Sequence, residues 1–398
     1  VVFVTFGFYN FCDIILLTHT ISREGLGMKK LAVLLVAVLF ITSLYASLGF
    51  KIGVVTGTVS QGEDEYRGAE AVMKKYGKEI IHVTYPDKFM QEQETTIARI
   101  VELAYDPQVK AIVICQGVPG TTAAIRRVKE MRKDIVFVVG VPHEDPAVIS
   151  SAADVILEVD TPGRGKTIVE LAKKMGVQTI IHYSFPRHMS YKLLAERRDI
   201  MEKTAKEMGI NFVFVSAPDP LGEQGLTGAQ QFILEDVPRQ LAKYGPKTGF
   251  FSTNCGMQEP LQKAILKNGG YYLEPCCPSP THGFPGALGI SIPDDKKGDM
   301  TYILRVVNQK IVEQGGAGRF ATWPVPMNML FVEAGVDIAA ALVQKKVSAT
   351  NLNGIKLIVT EAAKKKYPQA SLQVRTLDPY KNYYLFIHKS VIFGVDKF

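Results

Sequence analysis

The chain of 398 residues carries 46 Lys+Arg against 39 Asp+Glu, a formal net charge of +7, and 47% of its residues are hydrophobic. Such a composition excludes a disordered or collagen-like chain, and the length allows about two or three domains, each able to bury a core without metal or disulfide staples. No run of Lys or Arg exceeds the three of Lys364-Lys365-Lys366, so no nucleic-acid partner is implied, because that footprint gathers cations on one face.

Residues 1–27 contain no Met and hold an apolar segment, Val1 to Leu17. They read as an upstream extension of the gene, with Met28 as the start. Met28-Lys29-Lys30 precedes an uncharged run of 14 residues, Leu31 to Leu44, and then the small residues Ala46, Ser47 and Gly49. Residues 28–49 thus have the layout of a secretory signal peptide, and the run is shorter than the roughly 20 residues a membrane-crossing helix needs. Cleavage after Ala46 or Gly49 is expected, giving a periplasmic or extracellular protein. An uncleaved anchor reaching Phe50, or an apolar hairpin formed with Val1 to Leu17, is the alternative. No Cys follows the run, which argues against a lipid-anchored start.

From Lys51 onward short β-rich runs alternate with helical runs. Lys51–Thr56, Ile80–Tyr85, Ala111–Cys115, Ile135–Val139 and Asp154–Val159 read as strands. Gly62–Tyr76, Gln91–Tyr105 and Thr121–Arg132 read as helices. Continuous apolar strands such as AIVIC predict a parallel sheet covered on both faces. A second series follows the helix Gly165–Met175, with strands at Thr179–Tyr183, Asn211–Val215, Gly249–Ser252 and Tyr271–Pro275 and helices at Tyr191–Met208, Ala229–Tyr244 and Glu259–Lys267. Cys276 to Gly289, crowded with Pro and Gly, predicts a loop. Helices are expected at Asp299–Gln314, Met327–Lys345 and Ile355–Lys366, with closing strands at Leu372–Thr376 and Tyr383–His388. Thr322 to Pro326 reads as a crossover. The expected division is a first lobe over 50–160, a second with its entry crossover over 161–322, and a return to the first over 323–398.

Several motifs carry chemistry only in part. Asp160-Thr-Pro-Gly-Arg-Gly-Lys-Thr167 ends like a phosphate-binding loop, but Asp160 stands where that loop needs Gly, and a helix N-terminus is the better reading. His143-Glu144-Asp145 follows a strand, yet adjacent side chains diverge and suit a metal poorly. Alternation buries His182 in its strand, predicting a satisfied core histidine. Ser184 to Tyr191 lies between a strand and a long helix; Arg187 there either grips a ligand carboxylate or phosphate or pairs with a neighbouring acid. Of the five cysteines, at 12, 115, 255, 276 and 277, a bridge from Cys255 to one of the vicinal pair is allowed, and free thiols are expected. The absence of C-x-x-C argues against zinc, so neither metal nor cofactor is expected. Trp323 either stacks on a ligand or plugs the lobe interface.

An exported chain, the opening KIGVVTGTVSQGEDEYRGAE and two wound α/β series together resemble the type I periplasmic binding proteins. More closely, HYSFPRHMS (182–190), CCPSPTHGFPGALGI (276–290) and GRFATWPVP (318–326) resemble segments of an uncharacterised bacterial family with that fold. The resemblance spans roughly residues 50 to 388. It implies an α/β fold of two doubly wound parallel-sheet lobes with a cleft between them.

Ligands of open α/β sheets bind outside the carboxyl ends of the strands. That rule nominates Thr58, Ser60, Gln61, Gly117, Thr121, His143, Arg187, His188, Asn254 and His282 as polar contributors, with Phe185, Tyr191 and Trp323 for stacking. The expectation is an exported solute-binding protein that closes, about crossovers near Gly163 and Pro324, over a small polar ligand such as a sugar, nucleoside or similar metabolite. Its partner would be a membrane transporter or receptor. The alternative is an exported enzyme using the same cleft, with Cys255, His282 or Glu144 as reactive groups. A transcription regulator would need a DNA-binding headpiece where the leader stands.

Overall fold

Apolar residues on both sides of a strand demand a cover on both faces, and the alternation of strand and helix supplies it. In a computed structural model of the protein, residues 47–367 and 370–397 are described; the expected upstream extension, 1–27, and most of the expected signal peptide, 28–49, lie outside them. The first series runs β1 (Lys51–Thr56), α1 (Val59–Tyr76), β2 (Ile80–Thr84), α2 (Gln93–Leu103), β3 (Val109–Gly117), α3 (Thr121–Met131), β4 (Val136–Pro142), α4 (Pro146–Ser150) and β5 (Val155–Val159). The second runs α5 (Thr161–Lys174), β6 (Thr179–Ser184), α6 (Pro186–Met189), α7 (Lys192–Glu207), β7 (Asn211–Ser216), α8 (Gly225–Tyr244), β8 (Thr248–Ser252), α9 (Gln258–Asn268), β9 (Tyr271–Tyr272), α10 (Phe284–Leu288) and α11 (Met300–Glu313). The chain closes with β10 (Ala321–Thr322), α12 (Met327–Val343), α13 (Leu352–Lys366), β11 (Gln373–Leu377), β12 (Tyr380–Ile387) and β13 (Val391–Ile392).

Two doubly wound sheets result. The larger has the order β11-β12-β5-β4-β3-β1-β2 and the smaller β7-β6-β8-β9. Neighbouring strands are parallel in both except at one edge, where β11 runs antiparallel to β12. Only Asp378 and Pro379 separate those two strands, and so short a connection permits nothing but a hairpin. A two-stranded antiparallel ribbon pairs β10 with β13.

Strand alternation distributes each sheet between two cores. On β3, Val113 and Cys115 face a cluster that includes α12, whereas Ile112 and Ile114 face the Ile97, Ile100 and Ile125 side. Helix α12 is apolar nearly all round and buried from Met327 to Val336. Its Gly335 lets it settle on the sheet, since a Cβ there would stand 2.9 Å from Val113 Cγ1. In the second lobe, α5 and α7 cover one face with Ile168, Ala172, Met201 and Ala205, and α8 and α9 supply Ile233, Val237, Leu261 and Ile265 to the other.

One expectation is corrected. Cys276–Gly289 is not all loop, because α10 occupies Phe284–Leu288 between left-handed glycines, Gly283 and Gly289, with Pro285 in its first turn. Gly and Pro there punctuate a short helix instead of preventing one. Among the described residues no helix is long and apolar enough to cross a membrane.

Candidate functional site

The carboxyl ends of β1, β2, β4, β5, β6 and β8 deliver their following residues, and β3 its own Gln116, to one cavity of about 460 Å³. Its wall includes the expected Ser60, Gln61, His143, Arg187, His188, Tyr191 and Asn254. The other expected residues lie outside that wall. Thr58 Oγ1 donates to Asp87 Oδ1 at 2.5 Å and Ser60 Oγ to Asp87 Oδ2 at 3.0 Å, so Asp87 clamps the turn that opens α1. Gly117 remains inside the sheet, its carbonyl accepting from His143 N–H. Thr121 is buried at the start of α3, donating to the Val118 carbonyl. Phe185 is buried beneath His188, with ring centroids 4.2 Å apart.

Trp323 is also fully buried. Its Nε1 donates to Glu274 Oε1 at 3.1 Å, and the Arg164 guanidinium lies 5.5 Å from its ring centroid. It plugs the protein instead of facing a ligand. His282 approaches Cys276, with Nε2 3.8 Å from Sγ. Glu144, a candidate reactive acid, is spent on α3: its carboxylate accepts from Gly120 N–H and Thr122 N–H, both at 2.9 Å, and from the Thr122 hydroxyl. Asp160 does the same for α5, accepting from Gly163 N–H at 2.9 Å while Arg375 binds both its oxygens. A carboxylate therefore occupies the helix terminus where a phosphate-binding loop would seat its anion.

The cations in this region have unequal fates. Arg187 forms a fork on Asp219, with both N–O distances 2.8 Å, and its charge is balanced. Arg164 is buried against Glu274 at 2.9 Å and also donates to the carbonyls of Pro275 and Cys276. Arg197 differs. It lines the cavity and is 1% exposed, yet its Nε and Nη2 have no hydrogen-bond partner. Burial, and then repulsion by Arg164, pull its pKa down to about 9, as expected for a cation denied water.

Nearby acids move the other way. Glu158, whose Oε1 accepts from Val159 N–H, is pushed by burial up to about 8. Glu65 accepts from Gln116 Nε2 at 3.0 Å and Asn328 Nδ2 at 3.2 Å, and burial raises it to about 7. Burial lowers His143 to about 4 and His188 to about 3, so both are neutral hydrogen-bonding rings at pH 7. His182 is buried as alternation predicts, but the expectation of a satisfied core histidine fails. Neither ring nitrogen has a partner, and it packs against Phe212, Phe214 and Phe251.

Cys255, Cys276 and Cys277 complete the wall. Their thiols are free, as is the buried Cys115. Burial opposes a thiolate at Cys276, but hydrogen bonds from Cys255 and Cys277 and the Arg164 charge hold its pKa well below the ordinary thiol value.

Sequence reasoning missed Glu158 and Gln116, although both lie at or just inside the carboxyl end of a strand, where the strand-end rule looks. Arg197 gave no signal, being one of several charges in the polar helix α7. Its placement depends on Gly165, at which a Cβ would stand 2.7 Å from Ile200 Cβ and 2.8 Å from the Arg197 carbonyl. Gly165→Ala should separate α5 from α7 and lower stability by about 1–3 kcal/mol; an unchanged urea midpoint would show that the helices do not need this close approach.

The two wound lobes and the cavity at their strand ends define a protein of the type I periplasmic binding class of folds. The chain belongs to the family described as protein of unknown function (DUF3798), whose pattern matches residues 50–321. An uncharacterized protein of Treponema pallidum (strain Nichols) is 39% identical over 180 residues, covering 44% of this chain and 81% of that relative. A crystal structure of a candidate transcriptional regulator from Clostridium difficile 630 has 26% identity and a TM-score of 0.73, spanning 86% of this chain and 99% of the other. A sugar ABC transporter protein from Actinomyces odontolyticus ATCC 17982 has 10% identity and a TM-score of 0.55 over 88% of this chain and 97% of that one, a likeness of fold.

Proposed function

We propose that this protein is a solute-binding receptor whose lobes, divided at residues 50–160, 161–322 and 323–398, close over a small anionic organic ligand. The observation that carries this reading is Arg197, a buried guanidinium with unpartnered donors in the wall of the interlobe cavity. A carboxylate or phosphate group on the ligand would supply the acceptors this side chain lacks, and the neutral His143 and His188 with Tyr191 would orient the remainder. The volume of about 460 Å³ is that of a small-metabolite site. The fold shared with a sugar ABC transporter protein supports a role in solute capture. In that role the protein is exported through the leader at 28–49 and delivers its ligand to a membrane transporter or receptor.

Mass spectrometry of small molecules released by denaturing gently purified protein should identify an acidic metabolite. Calorimetry with that metabolite should show Arg197→Leu weakening binding by about 1.5–3 kcal/mol, the range for a charged hydrogen bond. Arg187→Ala should have the smaller effect, because Asp219 already balances its charge. Equal affinity in wild type and Arg197→Leu would overturn the reading.

A further inference from the structure

The loop after β8 and the loop after β9 are distant in sequence but meet in space. Asn254 shapes the first by accepting from Gly256 N–H at 2.8 Å, which turns Cys255 toward its neighbours. Arg164 fixes the second, donating to the carbonyls of Pro275 and Cys276 at 2.7 Å each. The three sulfurs are separated by 3.5 Å (Cys255–Cys276), 3.7 Å (Cys255–Cys277) and 3.9 Å (Cys276–Cys277).

Zinc bound tetrahedrally by thiolates at about 2.3 Å has sulfur–sulfur edges of about 3.8 Å. The three separations therefore describe one face of such a tetrahedron. A disulfide would select one pair and leave the third sulfur odd, and the near-equal spacing selects none. His282 Nε2 reaches 3.8 Å from Cys276 Sγ, but among the described residues it is the three cysteines, without His282, whose ligand atoms all lie within 4.8 Å of one another. Nor does His282 line the cavity, whereas all three cysteines do.

The geometry points to a zinc site formed by Cys255, Cys276 and Cys277, with its fourth coordination position open to the interlobe cavity. The metal takes all three cysteines as thiolates, any proton still on a thiol passing to solvent, and leaves a centre of net charge −1. Arg197 in the same wall, whose Nε and Nη2 have no partner, is the cation available to balance that charge, while Arg164, already paired with Glu274, holds the Cys276 carbonyl in place. An open position facing a cavity is the arrangement in which a metal accepts an exogenous oxygen or nitrogen ligand. The inference is independent of which solute the cavity takes.

The test uses the full chain, reduced and stripped with chelator, then titrated with zinc alone and separately with cobalt(II). One zinc per chain by elemental analysis is expected, with cobalt giving the thiolate-to-metal charge-transfer band and intense visible absorption of a tetrahedral ion. Cys255→Ser should weaken zinc binding by at least about a hundredfold, beyond the 10–100-fold that losing an outer-shell partner costs, while leaving the folded circular dichroism spectrum unchanged. His282→Ala should retain the metal. Substoichiometric zinc in the reduced protein, or equal zinc affinity in Cys255→Ser, would overturn the site; loss of zinc in His282→Ala would overturn the open position and indicate a closed Cys₃His centre.

Discussion

Arg164→Met should lower the unfolding free energy by about 3–5 kcal/mol, because it strands the Glu274 carboxylate in the interior. The pair is the most deeply buried of the ion pairs among the described residues, with side chains 1% and 0% exposed. Arg164 holds Glu274 Oε2 with two nitrogens, while Glu274 Oε1 receives Trp323 Nε1 and the Ser390 hydroxyl. One ion pair thus connects α5, the loop carrying Cys276, the crossover at Trp323 and the C-terminal segment. Removing both charges with Arg164→Met/Glu274→Leu should restore part of the loss, since no uncompensated ion then remains. Urea denaturation of the three proteins decides it: a cost below about 1 kcal/mol for the single variant would show that water reaches Glu274.

Stability should fall as pH rises from about 6.5 to about 8, with Glu158 accounting for most of the slope; below about 6.5 the buried neutral His143, His182 and His188 oppose it, because unfolding lets them take up protons. Its carboxyl keeps a proton up to about 8 in the folded protein, against 4.5 ordinarily, because burial penalises the anion. Between those values Glu158 holds its proton more firmly in the folded state than in the unfolded one, so its contribution makes unfolding easier with increasing pH; above about 8 it is ionised in both states and its contribution ends. The accumulated penalty is on the order of 4 kcal/mol. Glu65, raised to about 7, adds in the same direction over the lower part of the window. Glu158→Gln should be more stable than wild type at pH 8 and nearly equal to it at pH 5. Parallel pH profiles for the two proteins would show that Glu158 is ionised throughout. For a receptor this burial has a use: with Glu158 protonated, the unsatisfied Arg197 in the same wall favours occupancy of the cavity by an anion over an empty state.

Much of the fold was legible because strand and helix periodicities are local. AIVIC and IVFVV are apolar without interruption, and they form β3 and β4 at the middle of the larger sheet. The positions of many binding candidates were legible for a related reason: strand ends must open somewhere, and a wound sheet opens them on one side. Ser60, His143, Arg187 and Asn254 all reach the cavity by that rule.

The chemistry of the wall was less legible. A strand-end rule cannot say that Asp219 would bind Arg187, that Asp87 would hold Thr58 and Ser60, or that Glu144 would cap a helix. Each of these pairings joins residues more than twenty positions apart.

What the sequence by itself determined is the wound α/β architecture, the strand ends that build the cleft and the burial of His182, all consequences of short-range patterning. Tertiary structure alone decided the fates of Arg197 and the three cysteines. Arg197 sits in a helix of polar residues and is buried only because Gly165 admits α7 so close to α5. Cys255 is twenty-one residues from Cys276 with no ligand-like spacing, and their sulfurs meet at 3.5 Å only because β8 and β9 are adjacent and parallel, ending on the same side of the sheet.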